Sequence, residues 1–263
     1  MHWLRKRSPF IIISSILGLI MTLFLVIPVI WSLTSGGNIT ATLADERTIN
    51  AISTSFLSAS IATMLVFCLG IPLAYIFARY EFHGKKIVDS FIDLPVLIPH
   101  NAAGIALLSV LSPISPIGRV LESFGITAID SIFGIVIAMT FVSAPFMIRN
   151  AQEAFSSIDP AMERVARSLG ATNSKVFVYV TLPLALRGIL TGCLLTWTRS
   201  ISEFGAVIML AYYPKTAAVQ LYDVFISEGL KAALPINALL ILLAILILFV
   251  FKLITAKSTK PVF

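Results

Sequence analysis

The chain has 263 residues, of which 58% are hydrophobic and only 12% are charged, and its formal net charge is +6. This composition excludes an ordinary soluble domain, in which about a quarter of the residues are charged. Together with the long apolar segments described next, it predicts an all-α integral membrane protein.

Six segments have the length and composition to cross a bilayer, or nearly so. Five of them are uncharged, and the other, the fifth in chain order, contains Arg199 and Glu203. The first segment is too long for the apolar region of a cleavable signal, so we interpret it as a retained span. We predict a single transmembrane domain over 1–263 with six transmembrane helices. In chain order these lie at about 10–33, 48–78, 94–118, 131–148, 184–212 and 232–251.

Lysine and arginine are concentrated in alternate connecting segments. They cluster in 5–7, 79–86, 149–187 and 252–260 and are sparse in the segments between. Because cytoplasmic loops carry an excess of Lys and Arg, we predict that both termini are cytoplasmic. The positive net charge then follows from membrane topology, and no nucleic-acid partner is needed to explain it.

A polar insert, 149–187, separates the fourth and fifth predicted spans and is expected to face the cytoplasm. Within it, Asp159 is a good N-cap, Pro160 suits the first helical position and Gly170 can provide a left-handed C-cap. These signals predict a helix over 159–169. Spacing alone leaves two interpretations open, an interfacial helix that only connects two spans and a helix that docks into a groove on a soluble protein.

The predicted helix has one apolar and one polar side. The apolar residues follow the i, i+3, i+4, i+7 spacing and form a single stripe, namely Met162, Val165, Ala166 and Leu169. The polar side contains Glu163, Arg164, Arg167 and Ser168.

The run from Glu163 to Ala171, with Leu182-Pro183 further on, resembles the EAA loop of permease subunits of ATP-binding-cassette (ABC) importers. The family motif is E-x-A-A-x-x-L-G-A, and Val165 stands where the first Ala is usual. The resemblance implies a type I ABC importer permease fold whose cytoplasmic coupling helix inserts into the cleft of a separate ATPase subunit. It implies that the apolar stripe is the working face and that Glu163 and Arg167 orient the contact. The residues implicated in coupling are Asp159, Met162, Glu163, Val165, Ala166, Arg167, Leu169 and Gly170.

Nothing in the sequence indicates catalysis or a bound cofactor. The Gly84-Lys85 pair lacks both the earlier glycine of a P-loop and the Ser or Thr that follows it. We therefore expect ATP and Mg²⁺ to bind to the partner ATPase. Cys68 and Cys193 have no CxxC or His-rich neighbourhood, so we interpret them as buried thiols, with no metal site.

Arg199 and Glu203 are spaced i, i+4 within the fifth predicted span. An intramembrane Arg must face protein or water, because lipid does not solvate its charge. We favour an Arg–Glu pair that ties helices together over a cavity that attracts an anion, since the carboxylate would oppose anion binding. For His100, local hydrogen bonding is the favoured interpretation.

The segment Ser200-x-x-Glu203-Phe204-Gly205-Ala206 resembles the S-x-x-E-F-G-A/S sequence of permeases for the oxyanions molybdate, tungstate and sulfate. Together with 94–100, it is most similar to the molybdate/tungstate branch. The resemblance implies a homodimer in the cell inner membrane that works with two ATPase subunits and an extracytoplasmic oxyanion-binding protein. The pathway or gate candidates are Pro99, His100, Ser143, Arg199, Ser202, Glu203, Phe204 and Gly205.

Two alternatives remain open from the sequence. One is a permease of a sulfate/thiosulfate ABC importer. The other is an ion-coupled secondary transporter, which would need an intramembrane carboxylate or histidine relay. Only Glu203 and His100 would qualify for such a relay.

Overall fold

The structure, a computed structural model, describes residues 9–257 and the side chains of 9–251, and all regular elements in these residues are helical. The basic residues at 5–7 and 260, on which the prediction of sidedness partly depends, lie outside the described residues.

The helices vary from single turns to spans of more than thirty residues. They are α1 Pro9–Ser35, α2 Ile39–Ala44, α3 Glu46–Arg79, α4 Lys85–Leu97, α5 His100–Leu111, α6 Pro116–Ser123, α7 Ile132–Ser156, α8 Pro160–Ser168, α9 Asn173–Val176, the π turn Phe177–Thr181, α10 Leu182–Ile201, α11 Gly205–Leu210, α12 Ala217–Glu228 and α13 Leu230–Lys257.

Five helical segments within the described residues are long and apolar enough to cross a membrane. Four are α1, α3, α7 and α13, and the fifth runs without a break from α9 through the π turn to the end of α10. The pair α4 and α5, which is bent by 117°, adds a sixth if it is one broken span. The all-α membrane architecture is therefore confirmed.

The helix expected over 94–118 is broken and begins earlier in the chain. Helix α4 starts at Lys85 and ends at Leu97, and α5 runs only from His100 to Leu111. Pro99 has no N–H and disfavours helical geometry in the residue before it, and Ile98 accordingly has an extended conformation with ψ of 146°. The predicted span 94–118 therefore covers the end of α4, the whole of α5 and the start of α6.

The bounds expected for the fourth and fifth spans also need correction. Helix α7 continues beyond 148 to Ser156, so the first residues of the predicted 149–187 loop are helical. The next long helix starts at Asn173 and continues past Pro183, with the π turn placed just before the proline that cannot donate a hydrogen bond. It ends at Ile201, well short of 212, because the chain turns there into the separate helix α11.

The described residues form two compact units. The first contains 9–48 and 221–257, where α13 packs against α1 and α2. In this unit the Asn237 amide donates a hydrogen bond to Ser32 Oγ at 2.7 Å. Ser32 is the only buried residue of α1, so nearly all of that apolar helix is exposed within the chain.

The second unit, 49–220, has α7 at its centre. Along α7, Ile135, Met139, Met147 and Phe155 have no exposed surface and belong to two apolar clusters that α10 and α3 help to form. In a membrane, close packing of such side chains stabilises the contacts between helices through van der Waals attraction. A single domain over 1–263 remains a prediction.

Candidate functional site

Helix α8 is a short helix with well-defined caps on the polar insert. Asp159 Oδ1 accepts a hydrogen bond from the Ala161 N–H at 2.8 Å, and Pro160 lies in the first turn. Leu169 is the C-cap, and Gly170 has a φ of +90°, which glycine adopts without strain. The helix predicted over 159–169 is therefore confirmed, together with both of its caps.

The apolar side of α8 faces away from the unit. The exposed fractions are 53% for Met162, 59% for Val165 and 83% for Leu169, whereas Ala166 is partly buried. We call Met162, Val165 and Leu169 the α8 stripe. Contiguous exposed apolar side chains on an otherwise polar segment indicate an interaction surface.

Glu163 points in the opposite direction and is the only buried residue of α8, with 3% of its surface exposed. Its Oε1 accepts hydrogen bonds from Arg79 Nε at 2.8 Å and from Thr181 Oγ1 at 3.0 Å, and its Oε2 accepts one from the Tyr75 hydroxyl at 3.3 Å. We call these four residues the Glu163 cluster. Arg167 Nη1 lies 3.7 Å from Oε2 and is 39% exposed at its side chain.

Glu163 thus lies on the side of α8 away from the stripe, as the spacing predicts, and this part of the polar side faces the interior of the unit. Donors on α3 and the π turn stabilise its carboxylate inside the unit, where an unpaired charge would be too costly. Burial by itself raises the pKa of Glu163, but the hydrogen bonds from Arg79, Thr181 and Tyr75 and the charge of Arg79 hold that pKa below its ordinary value. Glu163 is accordingly ionised at neutral pH.

A second polar cluster forms where three helix ends meet. His100 begins α5, Arg199 lies in the last turn of α10, and Glu203 lies between α10 and α11. Arg199 Nη2 is 2.7 Å from Glu203 Oε2 and 2.6 Å from His100 Nδ1, and His100 Nδ1 is 2.9 Å from Glu203 Oε2. We call these three residues the His100 cluster.

The predicted Arg199–Glu203 pair is confirmed. His100 is hydrogen-bonded, but its partners lie 99 and 103 residues away in the chain, so the bonding is not local. Glu203 lies outside the helix, however, because it follows the C-cap residue Ser202. It is 1% exposed, and its second oxygen, Oε1, accepts the Ala206 N–H at 2.8 Å and so caps α11. Arg199 and His100 retain side-chain exposures of 22% and 36%, so the cluster is accessible on the side of these two residues.

The remaining pathway candidates lie at or near this cluster. Pro99 is the N-cap residue of α5, and Phe204 packs partly buried against an apolar core. Ser202 is exposed, and its hydroxyl donates to the Arg199 carbonyl at 3.1 Å. Ser143, on α7, is buried and accepts a hydrogen bond from Ser200 Oγ at 2.9 Å.

Gly205 sets how closely α11 approaches α5. A Cβ at this position would lie 2.6 Å from Asn101 Oδ1 and 2.7 Å from His100 Cβ, so a larger residue would push the two helix ends apart. Only glycine allows the observed approach.

Comparison with protein families decides the identity of the chain. Residues 70–259 match the family of binding-protein-dependent transport system inner membrane components. The chain belongs to this family.

Individual relatives agree with this assignment. The chain is 40% identical over 210 residues to the molybdate/tungstate transport system permease protein WtpB of Pyrococcus furiosus, an alignment covering 80% of this chain and 79% of the relative. It is 32% identical to a probable sulfate transport system permease protein of Chlorokybus atmophyticus, over 78% of this chain and 73% of the relative. Among solved structures, a bacterial ABC transporter involved in alginate import superposes with a TM-score of 0.74 at 18% identity, over 95% of this chain and 96% of that one.

The permease is thus a multi-pass, non-catalytic inner-membrane component of a binding-protein-dependent ABC transport system. Membership of this family excludes the alternative of an ion-coupled secondary transporter. No group of three or more His, Cys, Asp or Glu side chains within the described part of the permease is arranged to hold a metal ion.

Several residues of the permease that the sequence analysis did not single out are central to the site. Arg79, Tyr75 and Thr181 complete the Glu163 cluster, and Arg149 on α7 forms ion pairs with Asp89 and Asp93 on α4, of which the latter is bidentate. The sequence did contain a signal for this contact. Arg149 lies at the end of one predicted span, and Asp89 and Asp93, spaced i, i+4, lie just before another.

Proposed function

We propose that this permease carries molybdate or tungstate across the membrane. The observation that carries this proposal is its 40% identity, over four fifths of its length, to a permease named for these two oxyanions. Permeases named for sulfate are more distant, at 32% identity. The oxyanion signature around Glu203 occurs in full, and the side chains of Arg199 and His100 beside it are partly exposed.

We propose that two copies of the permease pair to form the pathway, that each copy docks on one ATPase subunit carrying ATP and Mg²⁺, and that an extracytoplasmic oxyanion-binding protein delivers the cargo. Both termini then lie in the cytoplasm. The apolar surface of α1 is almost entirely exposed within its own chain. We propose that membrane lipid or the second copy covers it.

The α8 stripe is the proposed contact with the ATPase. Its three side chains fit a helix-in-groove mode of recognition, in which apolar anchors fill a pocket on the partner. Asp159 and Gly170 maintain the two ends of the helix, Ala166 continues the stripe toward the unit, and the partly exposed Arg167 orients the contact.

The pathway is proposed to pass the accessible side of the His100 cluster. In transporters, broken helices and their ends line substrate routes, and α5 begins at such a break. Because Glu203 neutralises Arg199, the cluster would attract an oxyanion only weakly, and weak binding favours release. Pro99, Ser143, Ser202, Phe204 and Gly205 support the helix ends that form this region.

The cargo can be tested by uptake into proteoliposomes that contain the permease, its ATPase and its binding protein. We expect ATP-dependent uptake of molybdate and tungstate and much weaker uptake of sulfate at equal concentration. Preferential sulfate uptake would instead assign the permease to the sulfate branch.

Docking is tested with Met162→Asp combined with Leu169→Asp. Charges on the α8 stripe should abolish co-purification of the ATPase, because a buried unpaired carboxylate in an apolar groove costs several kcal/mol. Ile114→Asp is the matched control, since Ile114 is 90% exposed and lies outside α8. Unchanged co-purification of the double variant would refute the docking surface.

A further inference from the structure

Helix α8 has a single buried attachment to the rest of its unit. Its apolar stripe is exposed, and the only buried residue on the helix is Glu163. A helix that docks on a moving partner needs a firm connection to the spans as well as a docking face. Glu163 is the residue of α8 that can provide this connection.

The Glu163 carboxylate bridges α8 to two membrane helices at once. Arg79 and Tyr75 belong to the last turns of α3, and Thr181 is the last residue of the π turn that leads into α10. The three donor distances to the carboxylate lie between 2.8 and 3.3 Å. Arg79 also donates from Nη2 to the Ile158 carbonyl at 3.1 Å, so it contacts the chain on both sides of the N-cap of α8.

The surroundings of this carboxylate are closely packed and little exposed. The Tyr75 ring packs edge-on against Phe155 and Phe177, with centroid distances of 5.5 and 4.9 Å. Arg79 and Glu163 retain side-chain exposures of only 8% and 3%. Charge-assisted hydrogen bonds in a dry, closely packed site transmit displacement with little loss, because neither the bonds nor the packing can adapt cheaply.

We infer that Glu163 is a positioning residue that transmits the movement of α8 to α3 and α10 and makes no contact with the ATPase. In this arrangement the two faces of α8 have separate tasks. The α8 stripe binds the ATPase, and the Glu163 cluster transfers the resulting displacement to the spans. The inference rests on the proposed docking of α8.

The experiment uses the assembled importer in proteoliposomes and compares Glu163→Gln with the unaltered permease. Three quantities are measured, namely co-purification of the ATPase, the ATP hydrolysis rate and the number of oxyanions imported per ATP hydrolysed. Glu153→Gln is the matched control, because Glu153 is an exposed carboxylate at the end of α7.

We expect Glu163→Gln to retain the ATPase and hydrolyse ATP, because the α8 stripe is unchanged. The number of oxyanions imported per ATP should fall severalfold, because the displacement of α8 no longer reaches α3 and α10 through the carboxylate. The control should match the unaltered permease. Unchanged import per ATP would overturn the inference. Loss of ATPase binding would overturn it too, because docking itself would then depend on Glu163.

Two milder variants keep the inference testable if Glu163→Gln does not accumulate in the membrane. Thr181→Val and Tyr75→Phe each remove one donor to the carboxylate and leave the Arg79–Glu163 ion pair in place. Both should assemble with the ATPase and import fewer oxyanions per ATP, and full import per ATP by both would overturn the inference. Failure of the docking proposal gives a different result. In that case the variant with both Met162→Asp and Leu169→Asp would still retain the ATPase.

Discussion

Two carboxylates, Glu163 and Glu203, are almost completely buried in the second unit, with exposed fractions of 3% and 1%. Each is satisfied at both oxygens by cations or N–H and O–H donors. A buried charge is tolerated only under this condition, because removing one partner leaves an uncompensated charge in a poorly solvating medium. Single substitutions at these two residues should therefore have larger effects than substitutions on the exposed faces of the same helices.

Glu163 should make the stability of the permease pH-dependent. Its pKa lies below the ordinary value of 4.5 in the folded state, so its stabilisation is fully present above 4.5 and is lost as the pH falls through the lower folded pKa. At neutral pH, Glu163→Gln should lower the free energy of unfolding by up to about 3–5 kcal/mol. Thermal unfolding of the purified permease, from neutral pH to below 4.5, measures this difference. The difference in stability between the variant and the unaltered permease should become smaller at the acid end. A difference that does not change with pH would contradict a stabilising, ionised Glu163.

Gly205 provides a test of the close approach between α11 and α5. Gly205→Ala places a methyl group against Asn101 and His100 and should cost about 1–3 kcal/mol through overpacking. We also expect lower oxyanion uptake, since displacement of His100 disturbs its cluster. The control is Gly18→Ala, where the added methyl group has no neighbour within 4 Å. Equal thermal stability and uptake in the two variants would show that the helix ends adapt freely.

At the scale of elements, local signals were sufficient where the structure depends on local contacts. Asp159 and Gly170 end α8 through their own backbone geometry, so the sequence alone predicted that helix. The direction of Glu163 was not predictable in the same way, because its ion-pair partner lies 84 residues earlier in the chain. Helix periodicity assigned Glu163 to the polar face, and tertiary contacts turned that face inward.

The start of α4 was missed for a related reason. Asp89 and Asp93 count against a membrane helix when only local sequence is considered. Arg149 pairs with both of them from α7, at sequence separations of 60 and 56 residues, and so allows a charged helix to pack there. Pro99 indicates a break after α4. The 117° angle of that break could not be deduced from the proline alone, because α5 also packs against α11, which lies far along the chain.

Arg149 should hold α4 against α7. In Arg149→Met, the paired carboxylates lose their cation, and hydrogen exchange in α4 should accelerate about fivefold, which corresponds to ~1 kcal/mol for a partly exposed network. Exchange in α7 itself should change much less. The control is Arg187→Met, which removes an exposed arginine near the start of α10. Equal exchange in both variants would show that apolar contacts alone hold α4.

At the scale of the whole molecule, the described spans constrain which loops share a side of the membrane. Between Ile114 and Leu169 the chain makes one crossing, α7, whose 25 residues extend about 37 Å. The two loops must therefore lie on opposite sides. Because α8 carries Arg164 and Arg167 and α9 carries Lys175, we expect Leu169 on the cytoplasmic side and Ile114 outside.

Single-cysteine labelling tests this sidedness in full. Leu169→Cys and Ile114→Cys, with native exposures of 83% and 90%, are each introduced after Cys68 and Cys193 have been replaced by Ala. The permease is expressed without its ATPase, which would otherwise cover Leu169. A membrane-impermeant maleimide should then label only Ile114→Cys in intact cells and only Leu169→Cys in inside-out vesicles. Permeabilised cells, where both should react, control for accessibility. Labelling of Leu169→Cys from outside would place α8 beyond the reach of a cytoplasmic ATPase, and the docking surface and the Glu163 inference would fail together.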